Sequence, residues 1–377
     1  MKVLYFSKTS DIGPSSRYRV YQYLPYLRSR GFDVVVKPLF GPTYFWLLTW
    51  RAAWTRVIAK AVYVLVRFFK RVWDLLSVGR VDLIVIEGQL FPYCPATVEQ
   101  VLVKLNQKIL IELDDAIYLT RFHRKKISEL LQASSTAIVG NHALANFVGR
   151  FATKVAVVPT VVDTDRFRPS TKRGSIESRD GALTIVWVGL ASNFPYFELL
   201  VPVIRELQRT ERVRFRVISS HPPSCSGVNL DFRLWSLEGE VAEIQGGDIG
   251  VMPLPDTEWA RGKCGLKLLQ YMAVGLPAVA SPIGVNQEII ADGENGFLAS
   301  TQEEWYANLV RLCRDAELRV RIGQAARKTV EAKYSLSVWG PRLANCYREI
   351  IEEHRELKSF AADGRASTRS RDGRDPH

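Results

Sequence analysis

Two adjacent carboxylates, Asp114 and Asp115, follow the apolar run KILIEL, and three cations, Arg261, Lys263 and Lys267, crowd the segment WARGKCGLKLLQ. Neighbouring acids at the end of a strand can orient hydroxyl groups, or repel each other until one keeps its proton near neutral pH. They can equally cap a following helix, where Asp is favoured. The apolar spacing after Gly265 predicts a helix over 266–274, closed by Gly275, with Pro277 opening the next strand and 256–265 as the loop before it. A helix start leaves backbone N–H groups free, and with Arg261, Lys263 and Lys267 beside them it suits a diphosphate. Arg261 and Lys263 also fit as solvated loop charges; Lys267, inside an apolar helix, fits that reading less well. Arg17 and Arg19, in and just after the first polar loop, either face the same cleft or decorate a helix surface.

These residues are placed by a regular alternation of elements. VLYF, GFDVVVKPL, DLIVIEG, KILIEL, TAIVGN and VAVVP read as strands separated by helical stretches, the first of them roughly 16–31. After a polar stretch over 168–180, LTIVWVG, VRFRVIS, DIGVMPL and PAVAS repeat the pattern. Two consecutive doubly wound units make an α/β protein of two Rossmann-like domains, whose ligands gather at the C-terminal ends of the strands in a cleft between them. The expected divisions are 1–165 for the first domain, 166–337 for the second, a helix over 338–358 packing back towards the first, and a disordered tail over 359–377 rich in Gly, Ser, Arg and Asp.

The chain has 377 residues, 47% of them hydrophobic, which suits two folded domains and excludes a disordered or polytopic membrane protein. Its five cysteines are scattered without a CxxC or Cys/His cluster, so neither a disulfide framework nor a zinc site is indicated. The N-terminus MKVLYFSKTSDIG lacks the apolar core of a signal peptide, and a cytoplasmic location is expected.

A net charge of +12 implies an anionic partner, and residues 46–80 hold a balance of +6 from seven basic residues and Asp74. At about 100° per residue, Arg56, Lys60, Arg67, Lys70 and Arg71 share one arc of about 100°, with Trp54, Val62, Phe69, Trp73 and other apolar residues filling much of the rest. The segment carries too many charges to span a bilayer. A helix in the headgroup region, cations on anionic lipid, is one reading; the other is an amphipathic helix packed on the first sheet with its basic face solvated. No nucleic-acid motif accompanies the charge, so nucleic acid is not expected as a partner.

The stretch GLKLLQYMAVGLPAVAS with the later GVNQE resembles the donor-site signature of family 4 glycosyltransferases, the GT-B enzymes of glycosyl transferases group 1. VVPTVVDTDRFRP resembles that family's interdomain passage, GNHALANFV the helix before it, and GPSSRYRVYQYLPYLRSRGF its first loop, so the likeness covers most of residues 1–350. The resemblance implies a GT-B fold and transfer of a sugar from a nucleotide-diphosphate sugar to a hydroxyl of a carbohydrate or lipid-linked acceptor. It implies retention of configuration without metal or other cofactor; taken with the basic segment, the expected setting is polysaccharide or glycolipid assembly on the inner face of the cell membrane.

By the same likeness Gly189, Arg261, Lys263, Gly265, Lys267, Gln270 and Glu288 hold the donor, Asp114, Asp115 and Lys267 serve catalysis, and Arg17 and Arg19 lie on the acceptor side. Two departures stand out. The family's two glutamates eight positions apart read Gly262 and Gln270 here, leaving Gln270 to meet the ribose through its amide. The Arg and Lys that commonly follow the first strand of the second domain are replaced by GLASNFPYF. These losses support a rival, a non-catalytic GT-B homologue binding a nucleotide sugar or a partner enzyme; a GT-B sugar-nucleotide epimerase is a second, against which the basic segment argues.

Overall fold

The computed structural model describes residues 1–48, 52–92, 94–105, 109–121, 123–134, 136–170 and 181–369. The first half of the chain runs β1 (Lys2–Phe6), α1 (Pro14–Arg19), α2 (Leu24–Ser29), β2 (Asp33–Val36), α3 (Pro42–Leu48), α4 (Ala53–Asp74), β3 (Leu83–Glu87), α5 (Thr97–Leu105), β4 (Ile109–Leu113), α6 (Arg124–Ala133), β5 (Thr136–Val139), α7 (His142–Val148) and β6 (Lys154–Val157). Its strands form a six-stranded sheet in the order β2-β1-β3-β4-β5-β6, and each pairing is parallel. Every residue of β3 and β4 is buried, the mark of parallel strands covered by helices on both faces.

The second half runs β7 (Leu183–Val188), α8 (Phe194–Glu198), α9 (Val201–Thr210), β8 (Val213–Ser219), β9 (Leu230–Leu234), α10 (Glu240–Gln245), β10 (Ile249–Met252), α11 (Glu258–Arg261), α12 (Leu266–Ala273), β11 (Ala278–Ala280), α13 (Asn286–Ile289), β12 (Phe297–Leu298), α14 (Gln302–Arg314), α15 (Ala316–Lys333) and α16 (Leu336–Arg369). A second parallel six-stranded sheet results, ordered β12-β11-β10-β7-β8-β9. The chain crosses between the sheets after β6 and again before α16. The two crossings are tied where Val162 N donates to Tyr334 O at 3.0 Å and Leu336 N to Val162 O at 3.0 Å. Beyond the return, Leu343, Tyr347 and Ile351 of α16 enter the core that holds Val3, Tyr5 and Leu83 of the first sheet.

Several expectations need correction. The helix expected over 16–31 is divided at Val20, whose φ of −123° and ψ of −66° leave the helical region. A 3-10 turn over Tyr21–Tyr23 then leads to α2, with Pro25 in its opening turn where a missing N–H costs nothing. The loop expected over 256–265 contains α11, capped by the Thr257 hydroxyl. The tail expected to be disordered from residue 359 continues as helix to Arg369, where Ala361, Ala362 and Ala366 favour helix and Gly364 alone costs only about 1 kcal/mol. Residues 370–377 of that tail, 171–180 of the polar stretch and 49–51 of the basic segment lie outside the described residues.

The basic helix is turned over relative to a lipid-facing basic arc. Arg71 is buried, its guanidinium donating to Lys37 O at 2.7 Å and Ser7 O at 2.9 Å and covering the Phe6 ring. Arg67 donates to Leu39 O and Pro38 O, Lys60 stands over the Tyr44 ring, and Asp74 is buried beside Lys37 at 3.2 Å. Trp54, Val57, Val62, Leu65, Phe69 and Trp73, by contrast, are each more than half exposed. The carbonyls after β2 lack ladder partners, and the long cationic side chains of α4 satisfy them. Neither reading of the sequence anticipated cations on the inner face, where Phe68 also packs on the Phe91 ring, with most of the apolar side chains outside.

Replacing Arg71 with Met is expected to cost about 3 kcal/mol, because two carbonyls lose charged donors, whereas Lys70→Gln on the exposed side changes stability by less than about 0.5 kcal/mol. Urea unfolding of the two variants compares them directly. Equal stabilities would show that the inner cations do not hold the helix.

Candidate active site

The strand ends of the two sheets meet through a short backbone segment. Between α11 and α12 the chain passes Gly262, Lys263 and Cys264, and Asn141 at the end of β5 donates its amide to Gly262 O at 3.0 Å and Lys263 O at 3.1 Å. Cys264 Sγ donates to Asp114 O at 3.1 Å. The approach is close enough that a Cβ on Gly262 would come within 2.6 Å of Ala116 Cβ, and one on Gly140 within 2.2 Å of Cys264 Sγ. Gly262 is therefore a packing requirement in this arrangement, and the acid that the resemblance places there has no room.

This contact sets cations against carboxylates. Lys263 Nζ is 3.7 Å from Asp115 Oδ1, and Ser15 donates to Asp114. Neither aspartate side chain caps a helix; the 3-10 turn over Ile117–Leu119 has Ala116 at its N-cap with no side-chain bond. Asp115 is half-buried, and desolvation in the cleft, then the charge of Asp114, push its carboxyl up to about 6 against the pull of Lys263. Behind them Glu87, at the end of β3, accepts from Lys8 N at 2.9 Å and Ser16 Oγ at 2.7 Å. Burial and then Asp114 raise it to about 7.

On the opposite wall Lys267 lies in the first turn of α12, after Gly265, whose φ of +71° demands glycine. Its Nζ stands 4.7 Å from the centre of the Trp187 ring. A Cβ on Gly189 would meet Lys267 Cε at 2.9 Å and Trp187 at 2.7 Å, so the end of β7 has to be bare there. Desolvation, then Lys263, bring Lys267 down to about 7, with Asp115 opposing. Lys263 also lies over the Tyr196 and Trp259 rings.

The structure thus gathers Asp114, Asp115, Lys263, Lys267, Gly189 and Gly265, but not the remaining expected residues. Arg261 forks Asp256 at 2.8 and 2.9 Å on the exposed side of α11. Arg19 points into the first domain, donating to Glu112 at 2.7 Å and Val158 O at 2.7 Å, so it is a core ion pair and does not face the cleft. Arg17 crosses to the second domain, 3.2 Å from Glu240 at the start of α10, with Trp235 and Tyr18 against its guanidinium. The Gln270 amide is committed as well, donating to Tyr18 Oη at 2.8 Å and Glu240 Oε1 at 3.0 Å rather than standing free for a ribose. Glu288 is exposed on α13 and rims a cavity of ≈ 400 Å³ whose lining includes Asn141 and Cys264 but none of Asp114, Asp115, Lys263 or Lys267.

Trp187, Ser15, Glu87 and Glu240 escaped the sequence reading. Glu87 and Glu112 left one signal, a lone acid at the end or next to the end of an otherwise apolar strand in LIVIE and ILIEL.

Residues 182–315 match the family model of glycosyl transferases group 1, and the matched segment contains Lys263, Lys267, Gln270 and Glu288. Over 240 residues the chain is 26% identical to D-inositol 3-phosphate glycosyltransferase of Corynebacterium urealyticum, covering 56% of this chain and 54% of that protein. Over 88 residues it is 36% identical to alpha-D-kanosaminyltransferase of Streptomyces kanamyceticus, 23% of each chain. The chain therefore spans about half the length of the first of these relatives and less of the second. Among solved structures, sucrose-phosphate synthase from Thermosynechococcus elongatus aligns with a TM-score of 0.69 at 14% identity, over 94% of this chain and 100% of that one. Anabaena HepE in complex with UDP and glucose aligns with a TM-score of 0.70 at 12% identity, over 93% and 100%. The fold is GT-B.

Two outcomes follow from this geometry. A diphosphate placed beside Lys267, whose ordinary value of 10.5 is lowered to about 7 here, would favour its protonated form, and its binding would take up a proton above neutrality. Affinity for a nucleoside diphosphate should fall as pH rises from about 6 to about 9, and Lys267→Met should flatten that profile in calorimetric titrations. Gln270→Glu puts a second carboxylate against Glu240 and removes both amide donors. It should destabilise the protein by about 2 kcal/mol or more at neutral pH, with recovery in acid as one carboxyl takes a proton. A thermal melt indifferent to pH in that variant would mean that positions 240 and 270 of the second domain are not in contact in solution.

Proposed function

From the glycosyl transferases group 1 segment over residues 182–315 as premise, we propose that the protein transfers a hexosyl group from a nucleotide-diphosphate sugar to an acceptor hydroxyl. The observation that carries this is the pair Lys263 and Lys267, half-buried beside the open start of α12 and the bare Gly189 backbone. A departing diphosphate gathers negative charge as the glycosidic bond breaks. Preorganised cations and N–H groups in a partly dehydrated cleft stabilise that charge most where it develops. Lys267 is the better placed for this, and Lys263 links it to the carboxylate wall.

Across the cleft, Asp115 with its raised pKa orients the acceptor hydroxyl, and Ser15 holds Asp114. No step requires a metal: the leaving diphosphate takes the acceptor proton and configuration is retained. The acceptor is a carbohydrate or lipid-linked sugar on the inner face of the cell membrane, as in polysaccharide or glycolipid assembly. One observation favours the non-catalytic alternative, namely that Gly262 and Gln270 are both built into the junction between the sheets. In that case the cleft would bind a nucleotide sugar and transfer nothing.

Screening nucleotide sugars for thermal stabilisation identifies the donor, since a ligand at 100 times its dissociation constant adds about 2.7 kcal/mol. With that donor, Lys267→Ala is expected to lower turnover at least ~10-fold with the fold intact. Donor binding without transfer or hydrolysis, on any acceptor tried, would establish the non-catalytic reading.

A further inference from the structure

We propose that α4 docks the protein on a lipid bilayer through its apolar side and not its basic one, lying in the plane of the headgroup and acyl boundary. This deepens the reading above and rests on it for the identity of the acceptor alone. The helix has 22 residues, about 33 Å at 1.5 Å per residue. Its inner face is spent on the protein: Arg67 and Arg71 on backbone carbonyls, Asp74 on Lys37, and the Tyr63 hydroxyl on Gly41 N. What remains outside is a stripe of large apolar side chains along the whole rod, with Trp54 at 71% exposure near one end and Trp73 at 74% near the other.

Charge selects the occupant. From Pro38 to Val81 the sequence contains a single acid, Asp74, and it is buried. The surface of this segment therefore offers apolar groups flanked by cations such as the exposed Lys70, which complements an anionic leaflet. Tryptophans at both ends of a rod with a charged opposite side suit the interface, and among the described residues no helix is long and apolar enough to cross the membrane. Because most of the cations are turned inward, attraction to lipid is mainly apolar, and salt has little to screen.

The docking face is coupled to the cleft by consecutive hydrogen bonds. Arg71 holds Ser7 O; the next residue, Lys8, donates its N–H to Glu87; Thr9 N donates to Ser16 Oγ, and Ser15 holds Asp114. A bilayer under α4 thus fixes the carboxylate wall relative to the surface in which a lipid-linked acceptor is confined.

The test uses the full chain in flotation assays with phosphatidylcholine vesicles, with and without phosphatidylglycerol. Wild type should float with both, more with phosphatidylglycerol, and lose less than ~10-fold in partitioning as salt rises from about 0.1 to about 0.5 M. The combined variant Trp54→Ser, Val62→Ser, Phe69→Ser and Trp73→Ser should lose at least ~100-fold in partitioning with unchanged melting and nucleotide affinity. The proposal is overturned if wild type stays in solution, if the variant floats like wild type, or if moderate salt abolishes binding. It is also overturned if lipid-free wild type is a dimer that these substitutions dissociate, since a second copy would then cover the stripe. Failure of every nucleotide sugar to bind, with flotation intact, would remove the transferase reading and leave the docking face standing.

Discussion

The contact on which the site depends is the one between Asn141 and the backbone of Gly262 and Lys263. One side-chain amide from the first sheet satisfies two carbonyls of the second, at a point where Gly140, Ala116 and Gly262 leave almost no volume between the chains. Buried carbonyls need donors, and a donor from the opposite domain makes that need a tie between the domains. Lys263 is carried to Asp115 by this approach, and Lys267 follows in the first turn of α12. Any larger residue at 262 would wedge the strand ends apart and separate the carboxylate wall from the cation wall.

A second junction lies on the other side of the cleft, where Glu240 receives Arg17, Tyr18, Arg166, Trp235 and Gln270. A buried carboxylate with so many donors is well satisfied. The junction is closed on the Arg17 side by the Tyr18 and Trp235 rings, which lie against its guanidinium. It also explains a departure from the family pattern in physical terms. With Glu240 already present, an amide at position 270 can donate where a second carboxylate would repel.

The helix α4 illustrates how the same amphipathic pattern fits opposite orientations. Periodicity fixes which residues share a face and says nothing about which face is inside. Here the carbonyls left open after β2 claim the guanidinium groups of Arg67 and Arg71, while the charged ends of Arg71 and Lys60 lie over the Phe6 and Tyr44 rings. Most of the large apolar residues are displaced outward as a result, while Phe68 stays inside against Phe91.

The sequence by itself determined the two sheets, because continuous apolar runs such as LIVIE and LTIVWV, spaced by helical stretches, can be buried only as parallel strands with helices on both faces. It also determined the start of α12, since Gly265 and the apolar periodicity after it are local signals, and with them the place of Lys267. What the sequence could not decide were partnerships between residues far apart in the chain. Arg17 and Arg19 are two positions apart, yet one pairs with Glu240 across the cleft and the other with Glu112 in the core. Arg261 and Lys263 are equally near each other, yet only Lys263 reaches the carboxylates, because Asp256 captures Arg261 first. A charge finds its partner through space, and only the tertiary structure brings Asn141 to Gly262 or turns Arg71 inward.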